Sequence, residues 1–169
     1  NSPMFDVEFI FLRIRGKSIG EKIELNLTCE DDGETQVPYE LNLEEVGVNM
    51  TEDHATEIDI GNDVKIHFRY PYLKDMMGIP ETINETEKSF YVLNSCINSI
   101  HYGDDVYNKV DLSDKDINDF VDQLTTEQFE KVMEFFNSMP KIRHTVTFVN
   151  PKTQAMNEVV LEGLESFLE

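Results

Sequence analysis

The residues with chemical reach are four histidines, two cysteines and a large stock of carboxylates. His54, His67, His101 and His144 stand far apart, with none of the HxxxH, HExxH or His/Cys spacings that gather ligands around a zinc ion. His67 and His144 fall in alternating segments and read as ordinary strand residues. Glu30-Asp31-Asp32 and Asp104-Asp105 offer hard oxygen donors, but a calcium loop needs stepped oxygens, a glycine and a closing glutamate. The run from Asp111 to Lys115 puts a lysine at a would-be ligand position and reads instead as a capped helix start. Cys29 and Cys96 form no CxxC pair, and Cys96 lies on the apolar face of a predicted helix, where a thiol is buried and inert. GxxxxGK[ST] and GxGxxG are missing from the sequence, and the GxSxG string Gly16-Lys17-Ser18-Ile19-Gly20 lies at a predicted helix exit, not in the strand-to-helix elbow a serine nucleophile needs. With 34 acidic residues, any single carboxylate pair is a chance event. The residues therefore predict no catalytic group, no metal and no cofactor.

The elements that would carry these residues fall into two textures. Residues 4–15 place Phe5, Phe9 and Leu12, with Ile10 and Phe11 beside them, on a broad helical stripe. Arg13, Arg15 and Lys17 suit its C-terminal end, and Gly16 and Gly20 offer exits. Alternation then predicts a hairpin over 22–43 with an acidic tip at 29–35, its second strand an edge strand because of Pro38. Residues 44–56 read as a loop. A second hairpin spans 55–70 around a tight Gly61-Asn62 turn. Helical patterns follow: one turn at 73–77, a helix from Thr86 to Ile100, a helix capped by Ser113 and another opened by the Thr125–Gln128 capping box. A short strand or turn at 104–112 separates the first two long helices. The chain closes with a hairpin over 142–161 and a short helix at 163–168. This is an α+β pattern of antiparallel hairpins with a cluster of three to four helices. It predicts one domain over 1–169: a helix-and-hairpin lobe at 4–72, and a helical cluster with the closing hairpin at 73–169.

The chain has 169 residues, 40% of them hydrophobic, and a net charge of −20. That length supports a packed core without disulfide or metal staples. The charge is even between halves but locally lopsided: from Lys22 to Lys65 no Lys or Arg interrupts 13 acids. Neutralising phosphates needs a Lys/Arg stripe, so direct binding to nucleic acid is not expected. The surplus suits a solubilising surface, a face for a basic protein, or imitation of nucleic acid to block a nucleic-acid-binding protein. No apolar run is long enough to span a bilayer. The two unpaired cysteines favour a reducing compartment. The opening Asn1-Ser2-Pro3 has neither an initiator Met nor a signal pattern, which predicts further sequence upstream.

Three stretches carry a family resemblance. Residues 4–21, MFDVEFIFLRIRGKSIGE, resemble the helix-to-strand segment of T4-type bacteriophage baseplate hub proteins. Phe68-Arg69-Tyr70-Pro71 is similar to that family's Tyr-Pro strand ending, and residues 161–168 are similar to its closing segment. The three keep their order and spacing along essentially the whole chain. Relatives in the family begin with a further hairpin and helix, and many of them carry paired cysteines in the first hairpin that suggest a small zinc knuckle. Here Cys29 stands alone beside Asp31-Asp32, so no metal is expected. The resemblance implies a non-enzymatic tail protein acting in hub assembly, as a hub subunit or an assembly chaperone. Its partners would be other hub proteins or the tape-measure protein, met in the host cytoplasm during assembly or in the virion baseplate. Phe5, Phe9, Arg13 and Arg15 of the first helix, with Glu30, Asp31 and Asp32 of the hairpin tip, are the expected contact residues. Most of the apolar residues from Phe5 to Ile14 are nonetheless expected to be covered by the chain's own core.

Overall fold

A computed structural model describes residues 2–168; Asn1 and Glu169, the ends of the expected single-domain span, lie outside the described residues. The element order is α1 (Met4–Ile19), β1 (Lys22–Thr28), β2 (Gln36–Asn42), β3 (Gly47–Asn49), β4 (Glu57–Gly61), β5 (Val64–Phe68), α2 (Leu73–Met77), α3 (Glu85–Cys96), β6 (Ile97–Tyr102), β7 (Asp105–Asn108), α4 (Asp114–Asp122), α5 (Thr126–Ser138), β8 (Lys141–Val149) and β9 (Met156–Glu162). The fold is α+β, every strand pairing being antiparallel. The chain divides into two compact units: one of residues 2–4 with Met50–Met139, the other of Phe5–Asn49 with residues 140–168. The closing hairpin β8–β9, expected with the helical cluster, thus belongs with α1, while the β4–β5 hairpin belongs with the helices.

In the α1 unit, β1 and β2 form a two-stranded ribbon and β3-β8-β9 a three-stranded sheet. Strict alternation sends Ile23, Leu25 and Leu27 of β1 inward, where they meet Leu41, Leu43, Ile142, Val146, Leu161 and Phe167. Two local features differ from expectation. The segment 44–56 contains β3, a three-residue strand paired with Lys141–Arg143 of β8; a strand that short has no periodicity to show. The helix also runs on past Gly16 to Ile19 and ends at Gly20, which takes φ 138°. Gly16 is buried against Leu43, where a Cβ would meet the side chain at an ordinary 3.9 Å, so this glycine is an interior helix residue and not an exit.

In the helical unit, the sheet order is β4-β5-β6-β7, with Ile60, Ile66, Phe68, Ile97 and Ile100 on the buried face against the helices. The β4–β5 turn is Asn62-Asp63, both left-handed at φ 55° and 59°, one residue later than the Gly61-Asn62 turn read from the sequence. The largest difference concerns α3. It starts one residue earlier than Thr86, at Glu85 with Asn84 as its cap, and it stops at Cys96. Ile97 turns extended (φ −64°, ψ 124°), and Ile97–Tyr102 pairs with β5 as β6. Ile97 and Ile100 fit a helical stripe by spacing, but hydrogen bonding to β5 decides their conformation. Helices α4 and α5 start at Ser113 and Thr125 as their capping boxes predict.

Candidate docking surfaces

Helix α1 is apolar on two opposite faces. At about 100° per residue, Phe5, Phe9, Leu12 and Gly16 share one side, and Val7, Ile10, Phe11 and Ile14 share the other. The first side packs inward: Leu12 is fully buried and Phe9 lies against the core. The second side is uncovered, with Ile10, Phe11 and Ile14 at 55%, 49% and 59% exposure. Coverage of the helix by the chain's own core, expected for most of Phe5 to Ile14, therefore stops halfway round. The sequence showed one broad stripe because the two narrower faces overlap when read as a single run.

Of the expected contact residues on α1, Phe9 thus faces the core, Phe5 is half-buried on the same side, and Arg13 holds the fold. The Arg13 guanidinium lies over the Phe9 ring at 4.8 Å and donates to three carbonyl oxygens, Leu43 at 3.3 Å, Glu44 at 3.2 Å and Val46 at 3.1 Å. It fixes the loop between β2 and β3. Arg15 is half-buried. Glu8, also half-buried, has its carboxyl pushed up by burial and by the nearby carboxylate of Glu165.

The acidic tip of the β1–β2 hairpin is a hydrogen-bonded knot. Asp32 folds back on its own turn, accepting from the backbone N–H groups of Glu34 (3.0 Å) and Thr35 (2.9 Å) and from the Thr35 hydroxyl at 2.5 Å. Asp31 accepts from Asn150 Nδ2 (3.0 Å), from Asn157 Nδ2 (2.9 Å) and from the Thr153 hydroxyl. Asn157 Oδ1 in turn accepts from the backbone N–H groups of Glu30 (2.8 Å) and Asp31 (3.1 Å). Asn150 and Asn157 are buried, so the tip is stitched to the β8–β9 turn. Hydrogen bonds from Thr153 and Asn150 hold the Asp31 carboxyl below the usual range, and those from Thr35 and Glu34 do the same, more strongly, for Asp32. Glu30 keeps an exposed side chain.

Cys29, Asp31 and Asp32 bring one potential ligand atom each within 4.8 Å of one another. The donor set fits a cation poorly. Both carboxylates are already engaged by N–H and O–H donors, and burial, then Asp32 and Asp31, push the Cys29 thiol up, away from the thiolate a metal needs. The geometry is that of an amide and hydroxyl network.

The helical unit carries a different surface. Asn84 and Glu87 form a reciprocal cap for α3 (3.0 and 2.8 Å), and Thr125 and Gln128 do so for α5. Gln128 Nε2 also donates to Ile60 O at 3.3 Å, tying α5 to β4. Val132 and Phe135 then point into the core, Phe135 stacking on Phe68 at 4.8 Å between ring centres. Helix α2 is anchored by Arg69, whose guanidinium meets Asp75 through two bonds of 2.6 and 3.0 Å. Burial works against the Asp75 charge, but Arg69 and the Tyr72 N–H outweigh it and hold the carboxyl below its usual range. These anchors leave an open groove of about 610 Å³ between α2, α3 and α5, with Met76, Phe90, Phe129, Met133 and Phe136 among its lining.

A family model described as T4 bacteriophage base plate protein matches residues 1–169. The chain belongs to this base plate family. The baseplate hub assembly protein gp26 of Enterobacteria phage T4 is similar to this base plate protein, 24% identical over 165 residues, covering 96% of the chain and 71% of gp26. No solved structure matches. Membership supports a role in phage baseplate assembly, with the host cell or the virion as the setting. Among the described residues, no helix is long and apolar enough to cross a membrane. Neither the outward face of α1 nor the α2–α3–α5 groove was singled out from the sequence of this base plate protein. The signals available were the second apolar run at 7, 10, 11 and 14, and the methionines Met76 and Met133 within the helical patterns.

Proposed function

We propose that this chain is a non-enzymatic assembly protein of the baseplate hub, acting as hub subunit or assembly chaperone by binding other hub proteins or the tape-measure protein. The observation that carries this reading is the family match along the whole chain. The uncovered face of α1 supports it: a stripe of Ile10, Phe11 and Ile14 beside Arg15 is what a helix presents to a partner. On this reading Phe5, Phe9 and Arg13 shape the contact from behind, by setting the pitch and depth of α1. Asp31 and Asp32 hold the hairpin tip rigid, and Glu30 offers the free carboxylate. The high negative charge keeps such an apolar surface soluble before its partner arrives.

Co-expression with the neighbouring tail proteins, followed by affinity pull-down, tests the reading. Retention of a hub or tape-measure protein is the expected result. Failure to retain any of them, together with inhibition of a DNA-binding enzyme, would replace it with nucleic-acid imitation.

A further inference from the structure

The groove between α2, α3 and α5 has walls made of helices, apart from Ile79 just beyond α2. At Phe90, Phe129 and Met133 on the floor the backbone N–H and C=O groups are spent inside α3 and α5, so the floor has no strand edge for an extended peptide to pair with. An occupant must satisfy its own backbone. It must also be apolar on one side, because Phe90, Phe129, Met133 and Phe136 line the floor. Met76 and Met133, with flexible thioethers, can adjust to an irregular apolar surface.

Charge selects among such helices. Helices α3 and α5 hold five carboxylates, Glu85, Glu87, Glu127, Glu130 and Glu134, against two lysines. Both lysines are already matched within their own helix, Lys88 to Glu85 at 2.6 Å and Lys131 to Glu127 at 3.8 Å. Glu130 and Glu134 have no basic partner among the described residues and are exposed. By helical spacing they follow Phe129, Met133 and Phe136 along the outer side of α5. The end of α3 is met by Lys109, whose ammonium donates to Asn94 O, whereas α5 has no basic residue in its last turn to offset the negative end of its dipole.

We propose that this groove receives a basic amphipathic α-helix of a partner protein, its apolar face on the Phe/Met floor and its Lys or Arg side chains over Glu130, Glu134 and the C-terminal end of α5. Helices α3 and α5 are 12 and 13 residues long, so three to four turns of ligand fill the groove. The site is separate from the α1 face and holds whether or not that face meets hub proteins.

The test titrates the full chain against a labelled Leu/Lys amphipathic peptide of about 18 residues, five turns. Controls are a scrambled peptide of the same composition and a Leu/Glu peptide with inverted charge. The Leu/Lys peptide should bind saturably, at least about tenfold more tightly than either control, and should weaken as salt rises from about 0.05 to 0.5 M. M76E and M133E should each weaken binding about tenfold, although each adds negative charge, while I14E on α1 leaves it unchanged. Non-specific attraction to an acidic protein predicts the reverse, with M133E binding the basic peptide more tightly. Thermal melts of each variant check that the fold persists. Equal binding of scrambled and patterned peptides, or indifference to both Met substitutions, would overturn the proposal. So would self-association that M133E abolishes, because the occupant would then be a second copy of this chain.

Discussion

The two units of this protein expose apolar surface in opposite shapes. The α1 unit presents a ridge: one helix with its core side held by Leu12, Phe9 and Gly16 and its far side, Ile10, Phe11 and Ile14, left in solvent. The helical unit presents a groove, whose floor is kept open because α2, α3 and α5 are each fixed from outside it by caps and by the Arg69–Asp75 pair. A ridge inserts and a groove receives. The helices themselves also differ in charge: α1 ends in Arg15 and Lys17, whereas α3 and α5 carry surplus carboxylates. Burial, more than composition, separates the apolar residues that build each unit from those that it offers outward.

That division can be broken most forcefully on α1. Leu12→Ala should cost about 3 kcal/mol because a fully buried side chain is removed, whereas Phe11→Ala next to it should cost less than about 1 kcal/mol, despite the larger residue. Urea unfolding of both variants checks this. Equal losses would mean that the outer face is covered.

The acidic tip separates the two units by their response to pH. Asn150→Ala removes a buried amide and leaves acceptors of Asp31 and Asp32 short of donors, and should cost about 2 kcal/mol. Both aspartates have folded values below their ordinary 3.8. Their stabilisation is therefore complete above that pH and is lost as pH falls through the depressed values. Acid titration followed by hydrogen exchange should show β1–β2 and the β8–β9 turn loosening, and Asn150→Ala should flatten that response. The smallest effect lies at Glu8, whose folded value is raised above 4.5. Ionisation opposes folding there, so Glu8→Gln should stabilise at neutral pH by well under about 1 kcal/mol, given its partial exposure, and the gain should vanish below pH 4.5 in a thermal-melt series.

Local chemistry made much of the fold legible. Capping boxes at Ser113 and Thr125 and alternation in β1 each act within a few residues, and each marks its element. What sequence order concealed depends on distant partners. Ile97 and Ile100 sit at helical spacing yet pair with β5, and Gly47–Asn49 becomes a strand only because Lys141–Arg143 lies beside it. The tip carboxylates looked free for a partner because the amides that bind them, Asn150 and Asn157, are more than a hundred residues away. On α1, sequence supplied the apolar residues but not the side that faces in. Gly16, close against Leu43, is the one local sign of it.

The most direct measurement is co-purification of hub and tape-measure proteins with the wild-type chain and with Phe11→Glu, each variant's melting temperature taken in parallel. Retention by the wild type and loss by Phe11→Glu at an unchanged melting temperature is the predicted result. Retention by both, or a melting temperature that collapses in Phe11→Glu, would show that the outer face of α1 is not the surface by which this protein joins the baseplate.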